Sequence, residues 1–211
     1  LIDWESGMLA GLQPLISAVR GRTGRELARN AVLEAHARRE AAQQQQTPAK
    51  LYRDVLAVVY RRLAEEWGAP ARWEECLTYG RSVGQWPAFP DSAAALSYLK
   101  KHFKLVILSN VDNQSFELTN ARLSVAFDAV YTAEDIGSYK PDSSNFTYMT
   151  ENLAKLGVAR SDILHVAESL FHDHAPANAA GLASCWIYRR HDQQGFGATL
   201  DPGTRPRADF V

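Results

Sequence analysis

The sequence has few cysteines, no excess of charge of either sign and no long apolar run, and each absence excludes a class of protein. Its only two cysteines, Cys76 and Cys185, are far apart in the 211 residues and lack the spacing of metal ligands. Sparse cysteine is typical of the reducing cytoplasm, where we expect the protein to be located. No apolar stretch approaches the roughly 18 residues that a membrane span needs, so we expect no membrane partner.

Acidic and basic residues are almost balanced, at 24 aspartates and glutamates against 23 lysines and arginines, for a formal net charge of −1. A protein without a basic excess has no general electrostatic affinity for nucleic acid, so we expect no nucleic-acid partner. Local basic pairs such as Arg38 and Arg39 fit the solvated face of a helix. Hydrophobic residues make up 46% of the chain, which is enough to fill a buried core.

The first part of the chain, to about Trp86, has the periodicity of helices and few strand signals. Apolar residues recur at spacings of three and four in "MLAGLQPLISAV", "GRELARNAVLEAHARRE" and "LYRDVLAVVYRRLAEEWG". The two prolines of "GQWPAFPD" end this pattern, so we place a structural boundary there.

After Pro90 the sequence alternates between helical and strand patterns. "KLVILSN" and "ILHVAE" are short continuous apolar runs of the kind that buried parallel strands have, and "SSNFTYMTENLAKLG" between them is helical. Strands that alternate with helices pair in parallel through right-handed crossovers. We therefore predict an α/β fold with a doubly wound parallel sheet, whose chemistry lies at the carboxyl ends of the strands.

Polar side chains follow three of the predicted elements of this sheet region. They are Ser109 and Asn110 in "VILSN", Lys140 in "GSYKPD", and Glu168, Ser169 and Asp173 in "LHVAESLFHDH". A hydroxyl, an ammonium group and carboxylates that converge at one sheet edge make a site that handles anions. Taken singly, each motif has an ordinary explanation, such as a helix cap for Ser109 or a surface turn for Lys140.

The order of these motifs resembles motifs two, three and four of the haloacid dehalogenase superfamily. In that family the first motif is an aspartate at the end of the first strand, in a context such as Asp-x-Tyr-Gly-Thr-Leu. "LIDWESG" resembles the continuation of this motif, with Leu1 as its final leucine. The resemblance implies that the nucleophilic aspartate lies five residues before Leu1, and that Asp3 stands at the entry to an inserted cap.

The resemblance covers essentially the whole chain and implies its division into domains. A core domain of the family's α/β type would comprise residues 1–5 and 87–211, and a helical cap domain would comprise residues 6–86. "DWESG", "SLFHDHAPANAAGL" and "CWIYRR" are most similar to the 2-haloacid dehalogenase branch. The apolar cap helices are compatible with a homodimer.

That branch implies a hydrolase that cleaves the carbon–halogen bond of small anionic 2-haloacids through an aspartyl ester, without a metal cofactor. Lys140 would keep the nucleophilic carboxylate ionised, because an opposite charge favours the anion. Asp173 would orient or deprotonate the water that cleaves the ester, and Ser109 would position the substrate carboxylate or the departing halide. The remaining substrate-binding candidates are Asn110, Ser169 and Trp4.

Two other functions remain open on the sequence. Phosphatases of the superfamily hold Mg²⁺ partly through an aspartate in a Gly-Asp pair, and Ala-Glu stands at that place here, so Glu168 is the candidate ligand. The exchange of both residues argues against the usual metal geometry. The third hypothesis is a noncatalytic module, because the printed sequence has no first-motif aspartate.

The cap departs from the dehalogenase pattern at one position. The dehalogenases carry an arginine in the second cap helix, and our alignment places Glu34 there, with Arg38 or Arg39 one turn on as substitutes. His172 and His174 flank Asp173, but a strand or loop would turn them to opposite sides, so we expect packing roles for them rather than metal binding.

Overall fold

The computed structural model describes residues 1–211 and begins with a helical region. Its four helices are α1 (Trp4–Thr23), α2 (Arg29–Gln46), α3 (Tyr52–Trp67) and α4 (Trp73–Ser82), followed by a 3-10 turn at Val83–Gln85. The sequence pattern predicted helices over this region, and the structure has them. The domain division at residues 6–86 stays a prediction.

Helix α3 is the centre of this helical region because its apolar stripe is fully enclosed. Val55, Leu56, Val59 and Leu63 are completely buried in a core cluster of 24 residues that joins all four helices. Gly80 brings α4 against this helix, since a Cβ at that position would lie only 2.0 Å from the backbone oxygen of Arg53 in α3. The close approach of the two helices thus depends on glycine.

The remaining elements alternate between helix and strand, as predicted. They are α5 (Ser92–Leu99), β1 (Val106–Ser109), α6 (Asn113–Leu123), β2 (Ala129–Thr132), α7 (Ala133–Ile136), α8 (Ser143–Lys155), a 3-10 turn (Arg160–Asp162), β3 (Leu164–Ala167), a π-helical turn (Leu170–His174), α9 (Ala175–Ala179) and β4 (Ala183–Trp186). None of the helices is both long enough and apolar enough to cross a membrane.

The strands form two parallel pairs. Strand β1 pairs with β2, with Val106 opposite Ala129, and β3 pairs with β4, with Leu164 opposite Ala183. No strand of the structure bridges β1 and β3, so the continuous sheet that we predicted is present as two halves. The parallel pairing and the helical crossovers agree with the predicted α/β class.

Two hydrogen-bonded contacts attach the helical region to the α/β region, and a strand pairing brings together the chain before and after the helices. Ile2 pairs in antiparallel fashion with Ala88, just before and just after the helices. The start of α3 is held through Arg53, whose backbone N–H and guanidinium donate to the fully buried carboxylate of Asp112 at 3.1 and 2.9 Å. The hydroxyl of Tyr139 donates to a backbone oxygen in the loop before α3. These bonds set the helices over the carboxyl ends of the strands.

Candidate active site

The centre of the site is a buried ion pair between Lys140 and Asp173. The Nζ atom of Lys140 lies 2.7 Å from Oδ1 of Asp173, and both side chains are only 10% exposed. The same Nζ donates to the backbone oxygen of Leu108 in β1 at 2.9 Å. The loop after α7, the turn after β3 and the end of β1 therefore meet at one point, as the motif order predicted.

Asp173 is held as a carboxylate by two donors. Burial by itself opposes ionisation of Asp173, but the nearby Lys140 and His165 outweigh it and hold the pKa of the carboxyl well below its usual range. Nε2 of His165, a residue of β3, lies 2.9 Å from the same Oδ1 atom. Because an ionised carboxylate only accepts hydrogen bonds, Nε2 carries the proton in this contact.

A π-helical turn presents Asp173 to the site. The backbone oxygen of Ser169 accepts from the N–H groups of both Asp173 and His174, at 3.1 and 3.2 Å. The hydroxyl of Ser169 accepts from the N–H of His172 at 3.0 Å and closes the turn. Such π-helical turns are frequent at functional sites. Ser169 thus shapes the turn in the structure, and its role in substrate binding stays a prediction.

The two histidines beside Asp173 lie in this helical turn rather than in a strand or loop, which corrects the reasoning from alternation. Nε2 of His174 contacts the backbone oxygen of Ala167 at 3.0 Å. Nδ1 of His172 lies 3.2 Å from the hydroxyl of Ser169, and burial lowers the pKa of His172. Both rings therefore contact the turn and the strand end next to them, which is the packing role that we expected.

Asn110 fixes the loop that carries Lys140. Its side-chain oxygen accepts from the backbone N–H of Lys140 at 2.7 Å, and its amide donates back to the backbone oxygen of Lys140 at 3.0 Å. Ser109, the last residue of β1, is half-buried between Asn110 and Leu108, both of which contact Lys140. The structure thus joins Asn110 to the backbone of Lys140 and places Ser109 beside it at the end of β1, while the contacts of both with a substrate stay predictions.

Aromatic rings line the boundary between the helical and α/β regions. Trp4 packs edge-on against Tyr52, at 5.8 Å between ring centroids, and against Trp86, at 5.2 Å. Trp4 is half-buried, whereas Tyr52 and Trp86 are buried. The substrate-binding candidate Trp4 therefore lies in an aromatic wall at this boundary, and Tyr52 of that wall also packs against Tyr139, the residue before Lys140.

A cluster of charges spans the same boundary. Glu5 accepts hydrogen bonds from Arg29 at 2.9 Å and from Arg190, which is buried. Burial and the nearby Glu5 raise the pKa of the half-buried Glu168 to about 7, although Arg190 opposes that shift. Sequence reasoning missed these arginines because Glu5 and Arg190 stand 185 positions apart and belong to no common motif.

The structure corrects the expected position of the cap cation. Glu34 is exposed on α2, and Arg38 and Arg39 pair with Glu66 of α3 on an exposed face, at 3.5 and 2.7 Å. They are therefore ordinary surface residues. The cation of α2 that reaches the boundary is Arg29, at the start of the helix. Arg29 stands before the apolar run of α2, and this position was the only feature of the sequence that could have pointed to it.

The helical region also contains a buried polar cluster that the sequence analysis did not identify. The carboxylate of Glu40 accepts from the hydroxyl of Tyr52 at 2.8 Å and from Gln44 at 3.0 Å. Burial disfavours this charge, but His36 outweighs it and lowers the pKa of Glu40. The hydroxyl of Tyr79 lies 2.8 Å from Nε2 of His36. The cluster thus places a buried carboxylate against His36 and Tyr52 inside the helical region.

The residues of this chain do not form a metal-binding set by themselves. No group of three histidine, cysteine, aspartate or glutamate side chains is arranged to hold a metal ion. Oδ1 of Asp173 already accepts hydrogen bonds from Lys140 and His165. The pKa of Glu168 is influenced by the nearby charges of Glu5 and Arg190. The side chains of this chain alone therefore do not complete a magnesium site around Glu168, the candidate ligand of the magnesium alternative.

Comparison with known proteins identifies related sequences. The family model of haloacid dehalogenase-like hydrolases matches residues 22–181. The (S)-2-haloacid dehalogenase of Pseudomonas putida is 31% identical over 106 residues, which are 49% of this chain and 45% of that protein. The pyrimidine 5'-nucleotidase YjjG of Escherichia coli (strain K12) is 28% identical over 110 residues, which are 51% of this chain and 48% of the nucleotidase. The matches thus span about half the length of these relatives.

Among solved structures, the L-2-haloacid dehalogenase from Xanthobacter autotrophicus with chloropropionic acid covalently bound superposes with a TM-score of 0.70. The two chains are 19% identical, and the match covers 90% of this chain and 74% of the other. At this identity the likeness concerns the fold. The α/β fold class with a helical cap that we predicted is therefore confirmed.

Proposed function

This chain belongs to the haloacid dehalogenase-like hydrolases, as the motif order predicted, and from that premise we propose that it hydrolyses the carbon–halogen bond of small 2-haloacids. The proposed reaction proceeds through an aspartyl ester and needs no metal cofactor. The similarity to the (S)-2-haloacid dehalogenase of Pseudomonas putida supports this substrate class. The covalently bound chloropropionic acid in the Xanthobacter enzyme supports the covalent route.

One observation carries the proposal: the ammonium group of Lys140 lies at the carboxyl end of β1, 2.7 Å from Asp173. A buried cation in this position favours a second carboxylate next to it in the ionised, nucleophilic form. We propose that this carboxylate is an aspartate on a strand that precedes Leu1. Strands β1 and β3 each pair on one side only, which is compatible with such a strand between them.

In the first step, a carboxylate oxygen of the nucleophile attacks C2 of the 2-haloacid. A carbon–oxygen bond forms as the carbon–halogen bond breaks, and the halide leaves with the bonding electrons. We propose that Ser109, with Asn110 beside it, positions the substrate carboxylate or the departing halide, and that Trp4 lines the pocket. Arg29 and Arg190 share the single carboxylate of Glu5 at the cap boundary, and the resulting excess of positive charge supports an anionic substrate.

In the second step, water adds to the ester carbonyl and loses a proton toward Asp173. The bond between the carbonyl carbon and the ester oxygen then breaks, the 2-hydroxyacid leaves with a proton, and the aspartate is regenerated. The low pKa of Asp173 makes it a weak base while Lys140 binds it. As water adds, negative charge develops on the former ester carbonyl oxygen; when Lys140 pairs with that oxyanion, Asp173 loses part of its stabilisation and becomes more basic.

A magnesium-dependent phosphatase acting on a small phosphorylated metabolite is the second candidate. The similarity to the nucleotidase YjjG favours it, as does a carboxyl group, Glu168, immediately after β3. A ligand set for Mg²⁺ would require carboxylates in addition to those of this chain, because the present ones form no group of three.

Incubation of the full-length protein with 2-chloropropionate, followed by chloride detection with and without EDTA, distinguishes these functions. We expect chloride release that EDTA does not reduce. Phosphate release from an aryl phosphate that EDTA abolishes would instead support the phosphatase. If the full-length protein releases neither product, the noncatalytic module is the better description and the proposal is wrong.

A further inference from the structure

We propose that His165 is a positioning residue for Asp173 in the ester-hydrolysis step, an inference that rests on the proposed dehalogenase function. His165 belongs to β3 and follows no recognised motif, but its Nε2 atom lies 2.9 Å from Oδ1 of Asp173. Both side chains are 10% exposed. At such burial, a hydrogen bond to a charged group is both strong and costly to lose.

The two donors leave one oxygen of Asp173 available. Lys140 and His165 both donate to Oδ1, and no side-chain or backbone donor of the protein bonds to Oδ2. Oδ2 is therefore the oxygen that can receive the hydrolytic water. Because His165 fixes Oδ1, it fixes the plane of the carboxylate and hence the direction of Oδ2.

Lys140 alone is poorly suited to this task. Its Nζ also donates to the backbone oxygen of Leu108, and in the proposed reaction it must hold the nucleophilic carboxylate as well. A lysine side chain is a flexible stem with a rotatable ammonium group. When Lys140 turns to the oxyanion that forms as water adds to the ester, His165 is the donor that still holds Asp173.

The ring of His165 is itself held rigidly. Side chains of β3 alternate between the two faces, so that His165 is buried while its neighbours Leu164 and Val166 are about half exposed. The imidazole packs edge-on against Phe146 of α8, at 5.2 Å between ring centroids, and Phe146 is only 1% exposed. Because His165 lies on a strand and packs against a buried ring, its imidazole has little freedom to move and can hold the carboxylate of Asp173 in one orientation.

The decisive variants are His165→Phe, which keeps a ring against Phe146 but removes the donor, and His165→Gln, which keeps an N–H donor. In the full-length protein with 2-chloropropionate, we expect His165→Phe to release about one chloride per enzyme rapidly and then turn over about tenfold to hundredfold more slowly, the range for losing a hydrogen bond to a charged group. Mass spectrometry of the quenched enzyme should detect the accumulated ester, and KM should fall together with kcat. His165→Gln should restore most of the steady-state rate.

Several outcomes separate this inference from its alternatives. If His165→Phe slows the chloride burst and the steady state equally, with no ester accumulated, His165 has a structural role and the inference is wrong. Wild-type turnover of His165→Phe would also overturn it. If His165→Phe does not fold, His165→Asn replaces it, because its shorter side chain cannot reach Oδ1. If the wild-type protein releases no chloride, the proposed function fails and this inference fails with it.

Discussion

Replacing Lys140 with methionine tests the electrostatics of the site most directly, because methionine keeps most of the side-chain length and removes the charge. The ion pair with Asp173 is buried, with each side chain 10% exposed and 2.7 Å between Nζ and Oδ1. Removing one partner of a buried pair leaves an uncompensated charge and typically costs about 3–5 kcal/mol. His165 still donates to Asp173 in the variant, so we expect a loss of roughly 3 kcal/mol, the lower end of that range.

The loss should depend on pH, with a sign set by Asp173. Its folded-state pKa lies below the unfolded value of about 3.9. The stability from this ionised pair is therefore present above about pH 4 and is lost as the pH falls through the folded-state pKa. Without Lys140 the pKa of Asp173 rises, so Asp173 becomes protonated at a higher pH in the variant. The difference in unfolding free energy between wild type and variant should thus be larger at pH 7 than at pH 4.

Urea unfolding of both proteins at the two pH values measures this difference, and chloride release measures the catalytic effect. The variant should remain folded at pH 7, since domains are commonly stable by about 5–15 kcal/mol, while chloride release falls by about two orders of magnitude or more. The double variant Lys140→Met with Asp173→Leu is the control and should recover much of the stability. A loss below about 1 kcal/mol that does not change with pH would refute the buried-pair reasoning, and unchanged chloride release would refute the role of Lys140.

Two further predictions concern the cap and the boundary charges. Gly80→Ala should lower the free energy of unfolding by roughly 1–3 kcal/mol, because its Cβ would overlap the backbone oxygen of Arg53, whereas Gly21→Ala in α1 meets no atom within 4 Å and should stabilise the helix slightly. Thermal unfolding of the pair checks this, and equal melting temperatures would contradict the close approach. Glu168→Gln should remove a pH dependence of the free energy of unfolding. The pKa of Glu168 is about 7 in the folded protein and about 4.3 in the unfolded chain, so the wild type is most stable below about pH 4.3 and loses stability as the pH rises through 7. Denaturant titrations at pH 5 and 8 measure it, and an equal fall in the variant would assign the dependence to other groups.

Much of the site was predictable because it depends on strand ends. Lys140 and Asp173 follow strands of the two parallel pairs, and the carboxyl ends of these strands meet at the same edge of the α/β region. The same rule placed Ser109 and Asn110 at the end of β1, beside the loop that carries Lys140. The contacts that these side chains make could not be predicted, since Asn110 binds the backbone of Lys140 and Ser169 closes a π-helical turn.

Arg29 and Glu34 illustrate where pattern matching failed. Both lie on α2, five positions apart, and the choice between them decides which residue reaches the cap boundary. Helical periodicity defines the faces of α2 relative to one another, but the direction in which each face points depends on its contacts with α1 and α3. The alignment placed the exposed Glu34 where the dehalogenases carry an arginine, and it gave no reason to expect that Arg29 pairs with Glu5.

The sequence by itself determined the helices of the cap, the parallel α/β class and the convergence of the three motifs, because these follow from spacings of two to four residues and from strand direction. Only the tertiary structure decided that His165 supports Asp173, that Arg190 meets Glu5 and that β1 and β3 lie in separate pairs. Such contacts join residues that no local pattern relates. They form only in the folded protein, where the two groups lie close together. There, a buried polar or charged group without a hydrogen-bond partner would destabilise the fold.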